Sequence, residues 1–216
     1  MYTLNQVVPI PLKDQISASQ IWSTSCTFQK GKRYFVHAPS GSGKTTLQHL
    51  LYGLRDDYEG DIALEMKGGG KRVIKGLDLN QWTTIRQEQV SVIFQDLRLF
   101  LEFSALENIQ IKNRLTNHKT EEEILAMAER LGVKELLGKH CGKLSYGQRQ
   151  RIAIIRALCQ PFGLLLMDEP FSHLDKDNIQ RCCDLIMEEC KSQEAGYVIA
   201  SLGDKYVLEY DEEVRL

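Results

Sequence analysis

A glycine-rich stretch, Ala38-Pro39-Ser40-Gly41-Ser42-Gly43-Lys44-Thr45-Thr46, contains the residue types that bind phosphate. Glycines let the backbone curl so that several N–H groups point at one anion, and Lys44 can reach the outer phosphates of a nucleotide. The Thr45 hydroxyl can bind the Mg²⁺ ion that accompanies a nucleoside triphosphate. Such motifs usually begin with glycine, but Ala38 adds only a methyl group. The stretch therefore predicts a nucleotide phosphate-binding loop (P-loop) whose contacts come from residues 39–46.

Two acidic residues, Asp168 and Glu169, follow the apolar run Gly163–Met167. The run predicts a buried parallel strand, and α/β sheets bind ligands at the carboxyl ends of such strands. Asp168 is the predicted second anchor for Mg²⁺, and Glu169 is predicted to orient or deprotonate the attacking water. The alternative, in which both residues only cap the next turn, is disfavoured because a P-loop occurs in the same chain.

The surrounding elements predict an α/β fold with a mainly parallel core sheet. The P-loop follows a predicted strand, Arg33–Val36, and precedes a helix whose N-terminus adds partial positive charge at the anion site. The apolar face of that helix is predicted from the spacing of four residues, Leu47, Leu50, Leu51 and Leu54. Further strands are predicted at Val90–Phe94, Gly163–Met167, Tyr197–Ser201 and Glu213–Leu216. A further helix is predicted at Asp177–Lys191.

Two other regions interrupt the alternation of strands and helices. Asp61–Met66 and Lys71–Ile74 predict an antiparallel hairpin with its tip at Gly68-Gly69-Gly70, so a small antiparallel β subdomain is expected. Capping boxes at Thr120 and Ser145 each predict the start of a helix. We therefore expect a helical subdomain at about 97–158, inserted into the α/β core.

The composition narrows the function classes. The 216 residues include 27 basic and 29 acidic side chains, which does not favour nucleic acid as a partner. No apolar run approaches the roughly 20 residues that span a bilayer, and the N-terminus lacks a signal-peptide pattern, so a cytoplasmic location is predicted.

Of the six cysteines, Cys182, Cys183 and Cys190 share a helical face with Ile179 and Ile186. We expect small core residues rather than metal ligands or disulfides.

Over nearly its whole length the chain resembles the ATP-binding cassette of ABC transporters. The most specific marker is Leu144-Ser145-Tyr146-Gly147-Gln148, which is similar to the family signature except that Tyr146 replaces a glycine. The resemblance implies one nucleotide-binding domain over 1–216 that binds ATP and Mg²⁺. It also implies that Ser145, Gly147 and Gln148 cover the γ-phosphate held by a second subunit, which is another copy or a homologous cassette. A helix N-terminus with a serine hydroxyl suits such an anion site.

Other segments of the chain resemble further motifs of the family, in the order in which the family has them. Gln95 resembles the Q-loop glutamine, which implies a metal contact and a catalytic role beside Glu169 and Lys44. The resemblance also implies that an integral membrane permease docks near Gln95–Asn108. Within this segment, Asp96-Leu97-Arg98-Leu99-Phe100 and Glu107-Asn108-Ile109 are most similar to cassettes of the lipoprotein-release, macrolide-export and cell-division type. Ser172-His173-Leu174-Asp175 resembles the D-loop, so Asp175 is implied to contact the nucleotide site across the dimer.

Two residues that the family normally has, a histidine and an aromatic residue, are missing from their expected positions. Leu202 stands where the family normally has a histidine that helps hydrolysis, and no histidine follows His173. The family also stacks adenine on an aromatic residue upstream of the P-loop, but none lies between Tyr2 and Trp22. We expect adenine contact from Trp22 or from an aliphatic residue, and slow hydrolysis.

Three functions are compatible with these residues. The favoured one is an ATP-hydrolysing subunit that powers a separate permease through ATP-driven dimer closure, peripheral at the inner face of the membrane. The second is an ATP-gated regulatory or scaffold subunit of a cell-envelope or division complex with weak hydrolysis, which Leu202 favours. The third, a soluble ABC ATPase of DNA repair or translation, is disfavoured because the chain has one cassette and Ser145 lies only 101 positions after Lys44.

Overall fold

The computed structural model describes residues 1–16, 18–66, 69–203 and 205–216. Its strands are β1 (Tyr2–Pro9), β2 (Ser25–Phe28), β3 (Arg33–His37), β4 (Tyr58–Glu65), β5 (Lys71–Val73), β6 (Val90–Ile93), β7 (Leu164–Asp168), β8 (Gly196–Ser201) and β9 (Glu212–Arg215). Its helices are α1 (Lys44–Leu51), α2 (Leu79–Glu88), α3 (Ala105–Asn113), α4 (Glu121–Arg130), α5 (Tyr146–Leu158) and α6 (Lys176–Ser192).

A sheet of five described strands, in the order β6-β7-β8-β3-β9, forms the core, and its paired strands run parallel. At its carboxyl edge His37 of β3 pairs with Ser201 of β8, and Asp168 of β7 pairs with Ala200 of β8. The register therefore brings the start of the P-loop and the two acidic residues to the same edge. The predicted mainly parallel α/β core is confirmed.

A second sheet, in the order β2-β1-β4-β5, is antiparallel. The predicted hairpin is confirmed as β4 and β5, although Gly68 of its predicted tip lies outside the described residues. Gly60 of β4 has a φ of +80°, and a Cβ there would lie 2.3 Å from the Gln6 carbonyl oxygen. Glycine is thus required where β4 passes the irregular part of β1, between Asn5 and Val8.

The chain between β6 and β7 is helical, as expected, and contains α3, α4 and α5. The predicted capping boxes are both present, since Thr120 caps α4 and Ser145 caps α5 through reciprocal bonds with residues three positions later. A third, at Ser104, begins α3. The helices bury Ile109, Ile124 and many apolar side chains of α5 in one cluster that continues beneath the parallel sheet.

The predicted apolar face of the first helix is wrong at one position. Leu54 lies beyond α1 and is 39% exposed, whereas Leu47, Leu50 and Leu51 are buried. The helix ends because Gly53 adopts a φ of +71° and donates its N–H to the Leu50 carbonyl, while the Leu54 N–H reaches the His49 carbonyl. This Schellman ending turns the chain before Leu54 can reach the core.

The cysteines of α6 are buried and free, as predicted. Burial raises the pKa of the Cys182, Cys183 and Cys190 thiols to about 12, so they remain protonated at neutral pH. Across the described ranges, no group of cysteine, histidine or acidic side chains has the arrangement of a metal cluster. The described helices also include none with both the length and the apolar character that crossing a bilayer requires.

Candidate nucleotide-binding site

The P-loop connects β3 to α1 and curls through two left-handed glycines. Gly41 has a φ of +80°, and Gly43, which immediately precedes α1, has a φ of +101°. A Cβ on Gly43 would lie 2.5 Å from the Leu12 Cδ1 atom, so a larger residue would have to displace that side chain in addition to adopting a left-handed backbone conformation. Within the loop, the Ser42 hydroxyl donates to the Pro39 carbonyl at 2.8 Å. The sequence thus forms the tight turn that a phosphate-binding backbone needs.

Lys44 is largely buried at the first position of α1. Its Nζ donates to the Ala38 carbonyl oxygen at 2.9 Å and lies 3.8 Å from Oε1 of Glu169. The ammonium therefore lies across the mouth of the loop, anchored to the loop's first residue. A short movement away from the Ala38 carbonyl would let it contact a phosphate.

Thr45 and Asp168 meet directly at the end of β7. The Thr45 hydroxyl donates to Oδ2 of Asp168 at 2.6 Å, and Asp168 is 2% exposed. Its second oxygen, Oδ1, is buried and has no hydrogen-bond partner among the described residues. Burial raises the pKa of Asp168, while the Thr45 hydrogen bond and the nearby Lys44 charge oppose this change. A hydroxyl beside a carboxylate with a free, buried oxygen suits a hard cation such as Mg²⁺.

Glu169 is held rigidly in an unusual backbone conformation. Its φ of +45° is in the left-handed region, and its N–H donates to the Ala200 carbonyl at 3.1 Å. Oε2 accepts from the Ser201 hydroxyl at 3.0 Å, and Oε1 accepts from the Leu202 N–H at 2.6 Å. Such strain costs about 1–3 kcal/mol and concentrates at functional sites. The carboxylate is consequently fixed between Lys44 and the end of β8.

Leu202 takes part in this site through its backbone. Its N–H binds Glu169, whereas its side chain is 60% exposed. An apolar side chain cannot hold a phosphate oxygen or a water molecule by hydrogen bonding. The position that lacks the expected histidine thus still orients the acidic residue.

Gln95 follows β6 and lines a cleft of about 390 Å³ together with the Thr45–Asp168 pair. Tyr146 closes one side of this cleft, because its hydroxyl donates to the Gln95 carbonyl at 2.6 Å. The cleft also contains Gln48, which is not among the site residues predicted from the sequence. Its position three residues after Thr45, on the same face of α1, was the available signal.

The signature residues form a compact helix start. Ser145 precedes α5, its Oγ accepts from the Gln148 N–H at 3.3 Å, and its own N–H donates to Oε1 of Gln148 at 3.0 Å. A Cβ on Gly147 would lie 2.8 Å from the His173 carbonyl oxygen, so glycine permits close packing on the D-loop. The aromatic ring of Tyr146 lies 4.1 Å from the His173 ring.

Asp175 caps α6, accepting from the Asn178 N–H at 2.8 Å. Hydrogen bonds from the Asn178 backbone and side chain lower the pKa of Asp175. As far as the structure describes the chain, the cleft around Thr45 and Asp168 is not lined by Ser145, Gly147, Gln148 or Asp175. A single chain therefore brings together the P-loop, Gln95, Asp168 and Glu169, and leaves those four residues elsewhere.

Trp22 does not present a face for adenine. It is 2% exposed, and its indole N–H donates to the Ser42 carbonyl at 3.1 Å beneath the P-loop. The ring supports the loop from inside. Trp22 is therefore not available for stacking on adenine, and contact from an aliphatic residue stays a prediction.

The comparisons with known proteins agree with this geometry. A family model described as ABC transporter matches residues 22–172. The lipoprotein-releasing system ATP-binding protein LolD of Legionella pneumophila (strain Paris) is 36% identical over 175 residues, which cover 80% of this chain and 75% of that protein. The LolD protein of Buchnera aphidicola subsp. Schizaphis graminum is 33% identical, with 85% and 79% covered. The thiamine import ATP-binding protein ThiQ of Shigella flexneri is 31% identical, with 82% and 73% covered.

A solved structure with the same fold is a dimeric bacterial ABC transporter cassette, MJ0796. It superposes with a TM-score of 0.77 at 23% sequence identity, and the match covers 99% of this chain and 96% of that one. The fold, the P-loop, the acidic pair at the end of β7 and the signature at the start of α5 all lead to one conclusion: this chain belongs to the ATP-binding cassette family of ABC transporters.

Proposed function

We propose that this chain is an ATP-hydrolysing subunit that powers a separate membrane permease. The observation that carries the proposal is the fixed carboxylate of Glu169, which two hydrogen bonds hold 3.8 Å from the Lys44 ammonium. A residue that served only as a cap would not need a strained backbone at a buried, phosphate-facing edge. The geometry suits a general base that activates water.

Each residue of the site has a distinct role in this proposal. The P-loop N–H groups and Lys44 bind the β- and γ-phosphates, and Thr45 with Asp168 holds Mg²⁺. When bound, Mg²⁺ neutralises charge on the phosphate oxygens. Glu169 accepts a proton from the attacking water, a role worth about 10²–10⁴ in rate. Gln95, beside the Thr45–Asp168 pair, adds a further oxygen ligand.

Closure of a dimer would complete the site. In a single chain, Ser145 before α5 is exposed and does not line the cleft around Thr45 and Asp168. A helix N-terminus with free N–H groups binds anions, so the same surface can cover ATP held by a second copy or a homologous cassette. Gly147 keeps this surface close to the D-loop, and Asp175 follows at the start of α6.

The segment Gln95–Asn108 is the proposed docking surface for the permease. Phe100, Leu101 and Phe103 are 54%, 46% and 45% exposed, and the two phenylalanine rings stack at 5.3 Å. The buried Asn108 side chain binds both the N–H and the carbonyl of Phe100, which fixes this apolar surface against α3. Because the segment begins at Gln95, contact with a permease would be sensitive to the nucleotide cleft.

We further propose one nucleotide-binding domain over 1–216, with 97–158 as its helical subdomain, at the inner face of the membrane through the permease. The sequence of 96–109 and the names of the LolD relatives support an exporter of the lipoprotein-release type. A second candidate, an ATP-gated regulator with weak hydrolysis, is favoured by one observation. The exposed, apolar side chain of Leu202 supplies no group for the γ-phosphate.

ATP turnover by the purified chain, compared with the Leu202→His variant, distinguishes the two candidates. We expect measurable turnover in the parent that a co-purified permease increases. No turnover in the parent, with recovery in Leu202→His, would support the regulator instead. For the docking surface, Phe100→Ser should abolish co-purification of the permease, and Leu79→Ser, at a 76% exposed leucine outside that surface, should not.

A further inference from the structure

The Gln48 side chain is the most deeply buried amide of the nucleotide cleft. It is 1% exposed, and neither its Oε1 nor its Nε2 has a hydrogen-bond partner among the described residues. An amide withdrawn from water without a partner is costly, so such a group in a folded protein calls for a ligand or an ordered water.

The position of Gln48 indicates what that ligand is. On α1, Gln48 lies one helical turn after both Lys44 and Thr45, on the same face. It lines the same cleft as Asp168, whose buried Oδ1 also has no partner in the described chain, and as Gln95. The unpartnered amide of Gln48 and the free Oδ1 atom of Asp168 therefore line one cleft with Thr45, whose hydroxyl is proposed to bind the metal ion.

We propose that Gln48 is a positioning residue of the Mg²⁺–nucleotide site, which binds hydration water of the ion held by Thr45 and Asp168. The inference rests on the proposed function. Mg²⁺ gives up its hydration water reluctantly and keeps several water molecules in protein sites. With the ion bound, Oε1 can accept hydrogen bonds from such water, and Nε2 can donate to the oxygen of a second water molecule.

A purely structural role for Gln48 gives a different expectation. If the amide only fills space, replacing it with an apolar side chain of similar size removes an unsatisfied group and leaves the metal dependence unchanged. If it binds hydration water, the replacement weakens metal binding, because partners of this kind typically contribute about 10–100-fold in metal affinity.

The test uses the full chain with the non-hydrolysable nucleotide AMP-PNP. Calorimetry measures nucleotide affinity in EDTA and over a range of free Mg²⁺ concentrations, and electron paramagnetic resonance counts bound Mn²⁺. For Gln48→Met, and for Gln48→Leu in case the first variant folds poorly, we expect unchanged affinity in EDTA. The Mg²⁺ concentration for half-maximal tightening should rise about tenfold. Gln110→Met, at a glutamine of α3 that is not among the cleft residues, is the matched control.

The outcomes separate the inference from the function it rests on. A Mg²⁺ requirement in both variants within twofold of the parent would overturn the role of Gln48, while the parent's own Mg²⁺-dependent binding would still support the proposed function. Failure of the parent to bind AMP-PNP, with or without Mg²⁺, would overturn both.

Discussion

Replacing Glu169 with glutamine isolates the proposed general base, because the substitution keeps the shape of the side chain and removes its proton-accepting charge. In the structure, Oε1 accepts from the Leu202 N–H at 2.6 Å, a contact that the amide oxygen can keep. The amide Nε2 then faces the Ser201 hydroxyl, which already accepts from the Gly203 N–H and can accept again. The loss in folding stability should stay within about 1 kcal/mol.

The effect on hydrolysis should be much larger. Loss of a general base lowers the rate by about 10²–10⁴, which corresponds to about 3–5 kcal/mol of activation free energy. Release of phosphate at saturating Mg-ATP measures the turnover number, and urea unfolding measures stability. Nucleotide affinity should be retained because Lys44, Thr45 and the loop backbone are unchanged.

Glu129→Gln is the matched control, since this α4 carboxylate pairs with Lys134 at the surface at 3.0 Å. We expect turnover equal to that of the parent. The assignment of Glu169 would be refuted by a Glu169→Gln variant that is folded, binds ATP and retains turnover within tenfold of the parent.

Three further predictions concern the loop, the metal ligand and the helix ending. Lys44→Ala should weaken ATP binding at least about 100-fold, because the proposed charge-assisted contact to phosphate would be lost; calorimetry that finds less than tenfold weakening would contradict this role. Asp168 has a raised pKa, so its ionisation lowers stability as pH rises above the unfolded value of 3.8. In EDTA at pH 7, Asp168→Asn should therefore unfold at a higher urea concentration than the parent. The variant should nevertheless lose the Mg²⁺-dependent tightening of nucleotide binding. A variant less stable than the parent would contradict the conclusion that ionised Asp168 destabilises the fold. Gly53→Ala should destabilise the fold by about 2 kcal/mol or more, since its φ is +71° and a Cβ would lie 2.4 Å from the Trp82 ring. A urea midpoint equal to that of the parent would rule out this close contact.

The sequence predicted the elements whose local signals agree with their burial. The glycines of the P-loop are required by its tight turn, and the strand before Asp168 is apolar because it is buried. The capping boxes at Thr120 and Ser145 satisfy N–H groups at helix starts. These were found at the expected positions. By contrast, α2 escaped notice because, of its described residues, Ile85 alone is buried, so no apolar stripe marks it. The capping box of Asp78 and Gln81 was the signal that could have revealed it.

Parts of the site depended on contacts that a sequence does not contain. The sequence indicates only what the Leu202 side chain lacks, but the contribution of Leu202 is a backbone N–H that reaches Glu169 through the register of β7 and β8. Trp22 was a candidate for stacking on adenine, yet packing beneath the loop buries it. The hydroxyl of Tyr146 reaches across to Gln95, 51 positions earlier in the chain, which no local pattern indicates.

The most direct test of the central claim is the mass of the Glu169→Gln variant in solution with and without Mg-ATP, measured by sedimentation. Slow hydrolysis should preserve the ATP-bound state, in which we propose that the α5 start of each chain covers the nucleotide held by the other. We predict a monomer without nucleotide and twice that mass with saturating Mg-ATP. The proposed dimer closure would be contradicted by a variant that binds Mg-ATP and remains monomeric.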